Sequence, residues 1–438
     1  MTDTALKSPA SLKGNGNPSP VGGTDRPILK QFGPGLITGA ADDDPSGITT
    51  YSQAGAQFGF NLLWLMLLTY PLMSAIQMIS GRIGRVTGCG LAANLRAVWP
   101  NPLVLFLVGL LFIANTINIG ANLSAMGASA ELATGLPSVP VTILFAALSL
   151  LLQMFVPYHR YASYLKWLTM VLLSYVAVLF VVKIDWMAAL KGFVMPSMTA
   201  NVDTFTVIVA ILGTTISPYL FFWQTSQEVE EMEEKEGAQP LRRAPRQAKR
   251  ELRRIRIDTF AGMAVSNLVA IAIIMSTAAT LHTSGKTEIA TAADVAEALK
   301  PIAGNFAFAL FSVGIIGTAM LSIPVLAGSA AYAAAECCGW AGSLERKPAE
   351  AIGFYSVIAA ATVLGLAMEF MPIDPIRALF WSAVINGFVA VPIMAGMMTV
   401  VSRHAQMKQF TARPLLVVVG WAATAAMAAA AIAMLIYR

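Results

Sequence analysis

The sequence has few charged residues, few cysteines and few histidines. Only 12% of its 438 residues are Asp, Glu, Lys or Arg, against about 25% in a typical soluble domain, which excludes the soluble globular class. The three cysteines include an adjacent pair, Cys337 and Cys338, which seldom forms a disulfide, and with the three histidines they form no redox or metal-binding motif. We therefore expect no enzyme activity of that kind and no resident cofactor.

Long apolar runs dominate the chain instead, and 56% of its residues are hydrophobic. A run of about 20 such residues, rising 1.5 Å each, can cross the roughly 30 Å hydrocarbon core of a bilayer as a helix. The sequence thus predicts an all-α polytopic membrane protein. The eleven predicted spans are 33–57, 61–81, 103–130, 138–157, 164–183, 204–227, 258–281, 303–335, 350–369, 375–401 and 412–436.

The positive charges indicate how these spans are oriented. If the N-terminus is cytoplasmic, 23 of the 29 Lys and Arg residues fall in inner segments, as expected because cytoplasmic loops retain positive charge. The pattern predicts a multi-pass protein of the inner (plasma) membrane with its N-terminus inside and its C-terminus outside. Because insertion explains the net charge of +5, nucleic acid is not an expected partner. The bilayer is expected to be one, and no obligate protein partner is evident.

The chain divides into a tail, two halves and a last helix. Residues 1–30 are polar and rich in Ser, Pro and Gly, which predicts a disordered cytoplasmic tail. Spans 1–5 occupy 31–183, spans 6–10 occupy 204–401 with a charged cytoplasmic loop at 228–257, and span 11 occupies 412–436. The charged stretch is acidic first and basic later. It could be a solvated helical extension, or its basic half could contact anionic lipid headgroups.

Two spans are interrupted at corresponding places. Span 1 contains ADDDPSG at 41–47, and span 6 contains GTTISPY at 213–219. Each interruption lies about a dozen residues from the start of its span, which places it near the middle of the membrane. Gly- and Pro-interrupted segments five spans apart are typical of an inverted-repeat transporter whose substrate site lies between them.

The first interruption carries Asp42, Asp43 and Asp44. Asp44 before Pro45 is a helix N-cap signal. An ionisable group at this depth is costly unless it meets water, an ion or a partner, and no Lys or Arg is predicted nearby. Carboxylates beside unwound backbone suit a hard cation, so the Asp residues are candidate metal ligands as well as a cap. How many of the three face the ion is left open.

The second interruption offers neutral oxygen from Thr214, Thr215 and Ser217 before Pro218. Because proline has no N–H and conflicts with the carbonyl four residues earlier, the Thr214 carbonyl is a candidate ligand. A simple proline kink with hydroxyls bonded back to the helix explains the same residues. The symmetry with the first interruption favours the site.

These segments resemble the Nramp divalent-metal transporters. The resemblance is carried by GPGLITGAADDDPSGITTYSQAGAQFGFNLLW at 33–64, by GTTISPY at 213–219 and by RIDT at 256–259, and it extends over roughly residues 30–410. It implies a LeuT-type fold of two inverted five-helix repeats with broken helices 1 and 6, plus an eleventh helix. It also implies transport of divalent metal ions by alternating access.

The chain departs from the family pattern at its metal ligands. The family motif DPGN reads DPSG, which keeps Asp44 but places Gly47 where the liganding Asn is expected. The motif MPH reads SPY, with Ser217 in place of the liganding Met, while the family's backbone ligand corresponds to Thr214. Hydroxyl, carboxylate and carbonyl oxygens favour Mg²⁺ or Ca²⁺ over softer metals, and smaller side chains suit an ion that keeps its waters. The pattern resembles the Nramp-related magnesium branch, with Mn²⁺ a possible second substrate.

Proton coupling is not expected from this sequence. Where coupled family members carry Asp and Glu in the third helix and His in the sixth, this chain has Asn122, Ala125, Tyr219 and Gln224, none of which titrates near pH 7. The open alternatives are a proton-coupled Mn²⁺ or Fe²⁺ carrier, an organic-solute carrier of the same fold and a sensor without transport. An intramembrane aspartyl hydrolase is disfavoured because the three Asp lie on one segment.

Overall fold

A computed structural model describes residues 38–39, 41–157, 170–196 and 200–437. Within these ranges the regular structure is helical and no strand occurs. The α-helices are α1 Pro45–Phe58, α2 Leu63–Thr87, α3 Leu91–Arg96, α4 Asn101–Thr134, α5 Ser138–Phe155, α6 Leu173–Val181, α7 Trp186–Val194, α8 Val202–Thr215, α9 Pro218–Glu234, α10 Ala248–Thr277, α11 Ala292–Glu297, α12 Lys300–Ala303, α13 Ala307–Cys338, α14 Ile352–Ala367, α15 Pro375–Ser402, α16 His404–Met407 and α17 Pro414–Ile436.

Nine of the predicted spans correspond to helices that are long and apolar enough to cross a membrane, counted among the described residues. Spans 1 and 5 are described only in part, by α1 and by the apolar helix Met170–Val181. The predicted tail at 1–30 lies outside the described residues. Five short helices, α3, α7, α11, α12 and α16, were not predicted, because their lengths of four to nine residues are too short for a membrane span.

Proline marks the start of the helices that matter for the site. Pro45 and Pro218 are the first residues of α1 and α9, where the missing N–H has no helical partner to lose and the fixed φ suits a helix. Both prolines follow an interruption of helical structure. Helical turns resume only after extended backbone at Asp44 (φ −74°, ψ 170°) and Ser217 (φ −77°, ψ 133°). Both predicted interruptions are therefore present.

Close helix packing holds the two broken segments near each other. Helix α1 packs against α10, α15 and α8, and α8 also packs against α15. Gly213, next to the second break, permits this approach, because a Cβ added there would lie 2.6 Å from the Gly387 nitrogen on α15. A side chain at that position would separate α8 from α15. The glycine thus allows α8, which carries Thr214, to lie close to α15.

The predicted charged loop is shorter than the sequence indicates. Residues 228–234 continue α9 and 248–257 belong to α10, which leaves only 235–247 between the helices. Glu228 and Glu251 are buried, so this stretch is not simply a solvated extension. The acidic block on α9 and the basic block on α10 instead form ion pairs with each other, from Arg254 to Glu228 and Glu231.

Candidate functional site

Asp44 is held at the start of α1 by its own helix. Its Oδ1 accepts hydrogen bonds from the Gly47 backbone N–H (3.0 Å) and from Ser46 Oγ (2.5 Å). The predicted N-cap is therefore confirmed. On the other side, Asn118 Nδ2 of α4 donates to Asp44 Oδ2 at 3.3 Å. Since an ionised carboxylate offers about four acceptor positions, these three bonds leave room for a further ligand.

The two broken segments meet through Ser46. Besides donating to Asp44, its Oγ lies 3.4 Å from Thr214 Oγ1 of the second break. Gly47 faces the same residue, because a Cβ added there would lie 3.2 Å from Thr214 Oγ1. Three of the six predicted site residues, Asp44, Gly47 and Thr214, are thus brought together. All three are buried.

Ser217 is buried at the second break and bonds back onto its own segment. Its hydroxyl lies 2.7 Å from the Gly213 carbonyl and 2.8 Å from the Thr214 carbonyl. The back-bonding that the sequence left as an alternative is therefore present. A hydroxyl that donates its proton keeps its oxygen lone pairs, and a carbonyl oxygen accepts two bonds. The Ser217 hydroxyl oxygen and the Thr214 carbonyl oxygen therefore each keep a lone pair for a cation.

Asp42 and Asp43 turn away from Asp44 toward α10. Ser266 Oγ lies 2.7 Å from Asp42 Oδ2 and 2.9 Å from Asp43 Oδ1. Asp42 Oδ1 is buried and has no hydrogen-bond partner among the described residues. The three predicted carboxylates thus do not converge, and the described part of the chain contains no group of three His, Cys, Asp or Glu side chains able to hold a metal.

Tyr219 connects the two breaks where the family has a histidine. Its hydroxyl donates to the Ala41 carbonyl at 3.3 Å, across from α9 to the segment before Asp44. The neighbouring Gln224 lies between Thr38, whose Oγ1 is 2.7 Å from its Oε1, and Glu228, which is 3.4 Å from its Nε2. These two side chains therefore have structural partners on the first broken segment and on α9.

Sequence reasoning missed several polar neighbours of the site. Asn118 reaches Asp44 while its Oδ1 accepts from Ser382 Oγ on α15 at 3.3 Å. A signal existed, because Asn115, Asn118 and Asn122 are spaced three and four residues apart in an apolar span and so share a face. Ser266 has no comparable signal.

The sequence also did not predict a largely buried charge network at the C-terminal end of α9. Arg254 of α10 binds Glu228 (2.5 Å) and Glu231 (2.9 Å) of α9 and Glu251 (3.2 Å) of its own helix. Arg85 of α2 lies 3.7 Å from the same Glu251. We call these five residues the charge network. The charge network connects α2, α9 and α10. It lies toward the C-terminal end of α9, away from the second break at which that helix begins.

The chain is similar in sequence to known proteins. The family described as "Natural resistance-associated macrophage protein-like" (Nramp) matches residues 35–437. A "Divalent metal cation transporter MntH" of Chromohalobacter salexigens is 27% identical over 337 residues, which cover 73% of this chain and 74% of that protein.

Solved structures share the architecture. A manganese transporter of Eremococcus coleocola, in complex with an aromatic bis-isothiourea substituted compound, has a TM-score of 0.71 at 16% identity over 95% of this chain and 89% of its own. Mhp1, a nucleobase-cation-symport-1 family transporter, has a TM-score of 0.57 at 14% identity over 93% and 92% of the two chains. These likenesses bear out the LeuT-type, all-helical fold. The match across residues 35–437 shows that this multi-pass membrane protein belongs to the Nramp family.

Proposed function

We propose that this chain transports divalent metal cations across the membrane by alternating access. The observation that carries the proposal is the meeting of Asp44 and Thr214, from two broken helices, through Ser46 in a buried position. A carboxylate among neutral oxygens suits a hard cation. The relatives named as divalent metal cation transporters support the same substrate class.

The ion that these ligands favour is Mg²⁺. The candidate ligands are the Asp44 carboxylate and the oxygens of Thr214 and Ser217, with no sulfur at the position of the family's Met. Oxygen donors select Mg²⁺ and Ca²⁺, whereas thioether sulfur stabilises softer transition metals. Mg²⁺ also gives up its waters reluctantly, so a site with few protein ligands suits it better than it suits Mn²⁺.

Transport is proposed to proceed without proton movement. Tyr219 and Gln224 do not titrate near pH 7. Their hydrogen bonds to Ala41 and Thr38 indicate a structural role instead. Asn122 donates to Ser322 Oγ at 3.3 Å. The acid beside Gln224, Glu228, is already paired with Arg254.

Uptake into liposomes tests all three parts of this proposal. With the membrane potential set by K⁺ and valinomycin, Mg²⁺ uptake is expected to exceed Mn²⁺ uptake, and the internal pH is expected to stay constant while metal enters. Mn²⁺ uptake with acidification that scales with the metal gradient would instead establish the proton-coupled alternative. Absence of flux for Mg²⁺, Mn²⁺ and Ca²⁺ alike would contradict metal transport itself.

Restoring the family's ligands is expected to change which metal is carried. In Ser217→Met combined with Gly47→Asn, Mn²⁺ or Cd²⁺ transport should rise about tenfold relative to Mg²⁺, since sulfur and amide replace hydroxyl and an empty position. The Cβ atom of the new Asn would lie 3.2 Å from Thr214 Oγ1, so the Thr214 side chain has to shift by a few tenths of an ångström to admit it. Competition between metals in liposome uptake measures the change.

Ser217→Ala is the matched control for that variant. It removes the hydroxyl without adding sulfur, so Mg²⁺ transport should fall and Mn²⁺ transport should not rise. An equal rise of Mn²⁺ transport in both variants would show that selectivity does not depend on the chemistry of the donor atom at this position.

A further inference from the structure

A groove between α2, α10 and α17 lies outside the candidate site and encloses about 630 Å³. Residues of α2 from Pro71 to Arg82 and the N-terminal halves of α10 and α17 line it, and its basic residues lie toward the end of α2 and the starts of α10 and α17. Five basic side chains line it and no acidic one does. They are Arg82, Lys249, Arg253, Arg256 and Arg413, and we call this site the basic groove.

No acidic side chain of the described residues neutralises the charges of the basic groove, in which Arg82 donates to the backbone carbonyls of Phe410 (2.9 Å) and Thr411 (3.0 Å). Within the described ranges none of the five side chains forms an ion pair. Lys249, Arg253 and Arg256 follow each other by four and three residues, so they share one face of α10 and repel one another. Arg82 and Arg413 also repel each other. An anionic ligand would offset this repulsion.

Below the charges the groove is apolar and directed into the membrane. On α2 the lining continues from Arg82 through Met78 and Ala75 to Pro71, a distance of about 16 Å at 1.5 Å per residue. Phe260, Leu416 and Val419 complete this part of the wall. Sixteen ångströms is about half of the roughly 30 Å hydrocarbon core, which is the depth that one acyl chain occupies.

Neither of the two longest segments outside the described ranges carries the net negative charge that would suit this groove. Residues 1–37, outside the described ranges, contain four basic and two acidic residues, and 158–169 contain two basic and no acidic residues. Like the groove, both segments are net positive. A basic site between membrane helices with an apolar floor matches a lipid headgroup followed by its chain.

We propose that the basic groove binds an anionic glycerophospholipid. The phosphate lies among the five basic side chains, and an acyl chain follows Met78, Ala75 and Pro71 toward the middle of the membrane. The lipid would contact α2 and α10, which also carry Arg85 and Arg254 of the charge network. The groove is thereby a ligand site distinct from the metal site. The proposal of lipid binding does not depend on which ion is carried.

Native mass spectrometry of the full chain, purified in detergent, tests the proposal with phosphatidylglycerol as the probe. The test variant is Arg253→Gln/Arg256→Gln/Arg413→Gln, whose three sites are exposed and form no ion pair with a described residue. The control is Arg243→Gln/Arg246→Gln/Lys347→Gln, which removes three exposed positive charges outside the groove. A third variant, Val419→Trp, keeps every charge and fills the apolar floor. Size-exclusion chromatography checks that each is folded.

The expected result is tight binding of one phosphatidylglycerol by the wild type and the control, and at least tenfold weaker binding by the test variant and by Val419→Trp. Phosphatidylcholine should not bind, and millimolar inorganic phosphate should not displace the lipid, because it has no acyl chain. Equal loss in the control would overturn the proposal, since it would indicate general surface attraction. So would binding that Val419→Trp leaves intact, displacement by phosphate alone, or failure of the wild type to bind.

Discussion

Replacing Asp44 by asparagine is expected to lower divalent-metal flux about 100-fold while the protein remains folded. Asparagine is as good an N-cap as aspartate, so the bond from the Gly47 N–H and the start of α1 are retained. What is lost is the negative charge, and losing a charge-assisted interaction of about 3 kcal/mol corresponds to about two orders of magnitude. Liposome uptake of Mg²⁺ measures the change. The substitution thus separates capping from ion binding.

Two neighbouring substitutions sharpen that comparison. Asp43→Asn should reduce flux less than Asp44→Asn, because Asp43 accepts from Ser266 on α10, whereas Asp44 accepts from Ser46, which contacts Thr214. Asp44→Ala should lose the cap as well, at a further cost of about 1 kcal/mol in stability. Wild-type flux in Asp44→Asn, with normal behaviour on size exclusion, would contradict the assignment of Asp44 as the primary ligand.

The sequence predicts best those features that depend on local rules. Asp44 and Pro45 predict a helix start, because Asp is a good N-cap and proline has a fixed φ. Pro218 predicts the second break because it lacks an N–H. The apolar runs predict the membrane helices because the bilayer leaves the backbone few alternatives. Both breaks and nine spans were therefore found from the chain alone.

The sequence predicts less well what depends on the rotation of one helix against another. Three adjacent Asp residues are equivalent in sequence, yet Asp42 and Asp43 face α10 while Asp44 faces α4. Successive residues of a helix point about 100° apart, so the three side chains must differ in direction. Which of them faces α4 and which face α10 is determined by helix packing. Asn118 and Ser266 complete the surroundings from spans 3 and 7, and no spacing rule connects residues so far apart in the chain.

The charge network shows the same limit at the end of α9. The acidic and then basic residues at 228–256 are compatible with a solvated face, and only the folded structure brings Arg254 to Glu228, Glu231 and Glu251. Arg85 joins from α2, more than 100 residues earlier in the chain. Burial of Glu228 follows from that packing.

Removing Arg254 from this network is expected to destabilise the protein strongly. In Arg254→Gln, the fully buried Glu228 loses its cationic partner, and breaking a buried pair on one side typically costs about 3–5 kcal/mol because a buried charge is left uncompensated. Thermal unfolding in detergent, followed by tryptophan fluorescence, should show a clearly lowered midpoint. The effect on α9 reaches the site, since that helix begins at Pro218, directly after the second break.

Arg250→Gln is the matched control for that effect. Arg250 pairs with the same Glu251, but its side chain is 78% exposed, and exposed pairs contribute about 0–1 kcal/mol. The double variant Arg254→Gln/Glu228→Gln should recover part of the lost stability, because it removes the uncompensated charge along with its partner. If Arg254→Gln unfolds at the same temperature as Arg250→Gln, the network does not stabilise the bundle. If the double variant is no more stable than Arg254→Gln, the cost arises from lost packing of the long Arg side chain rather than from the buried carboxylate.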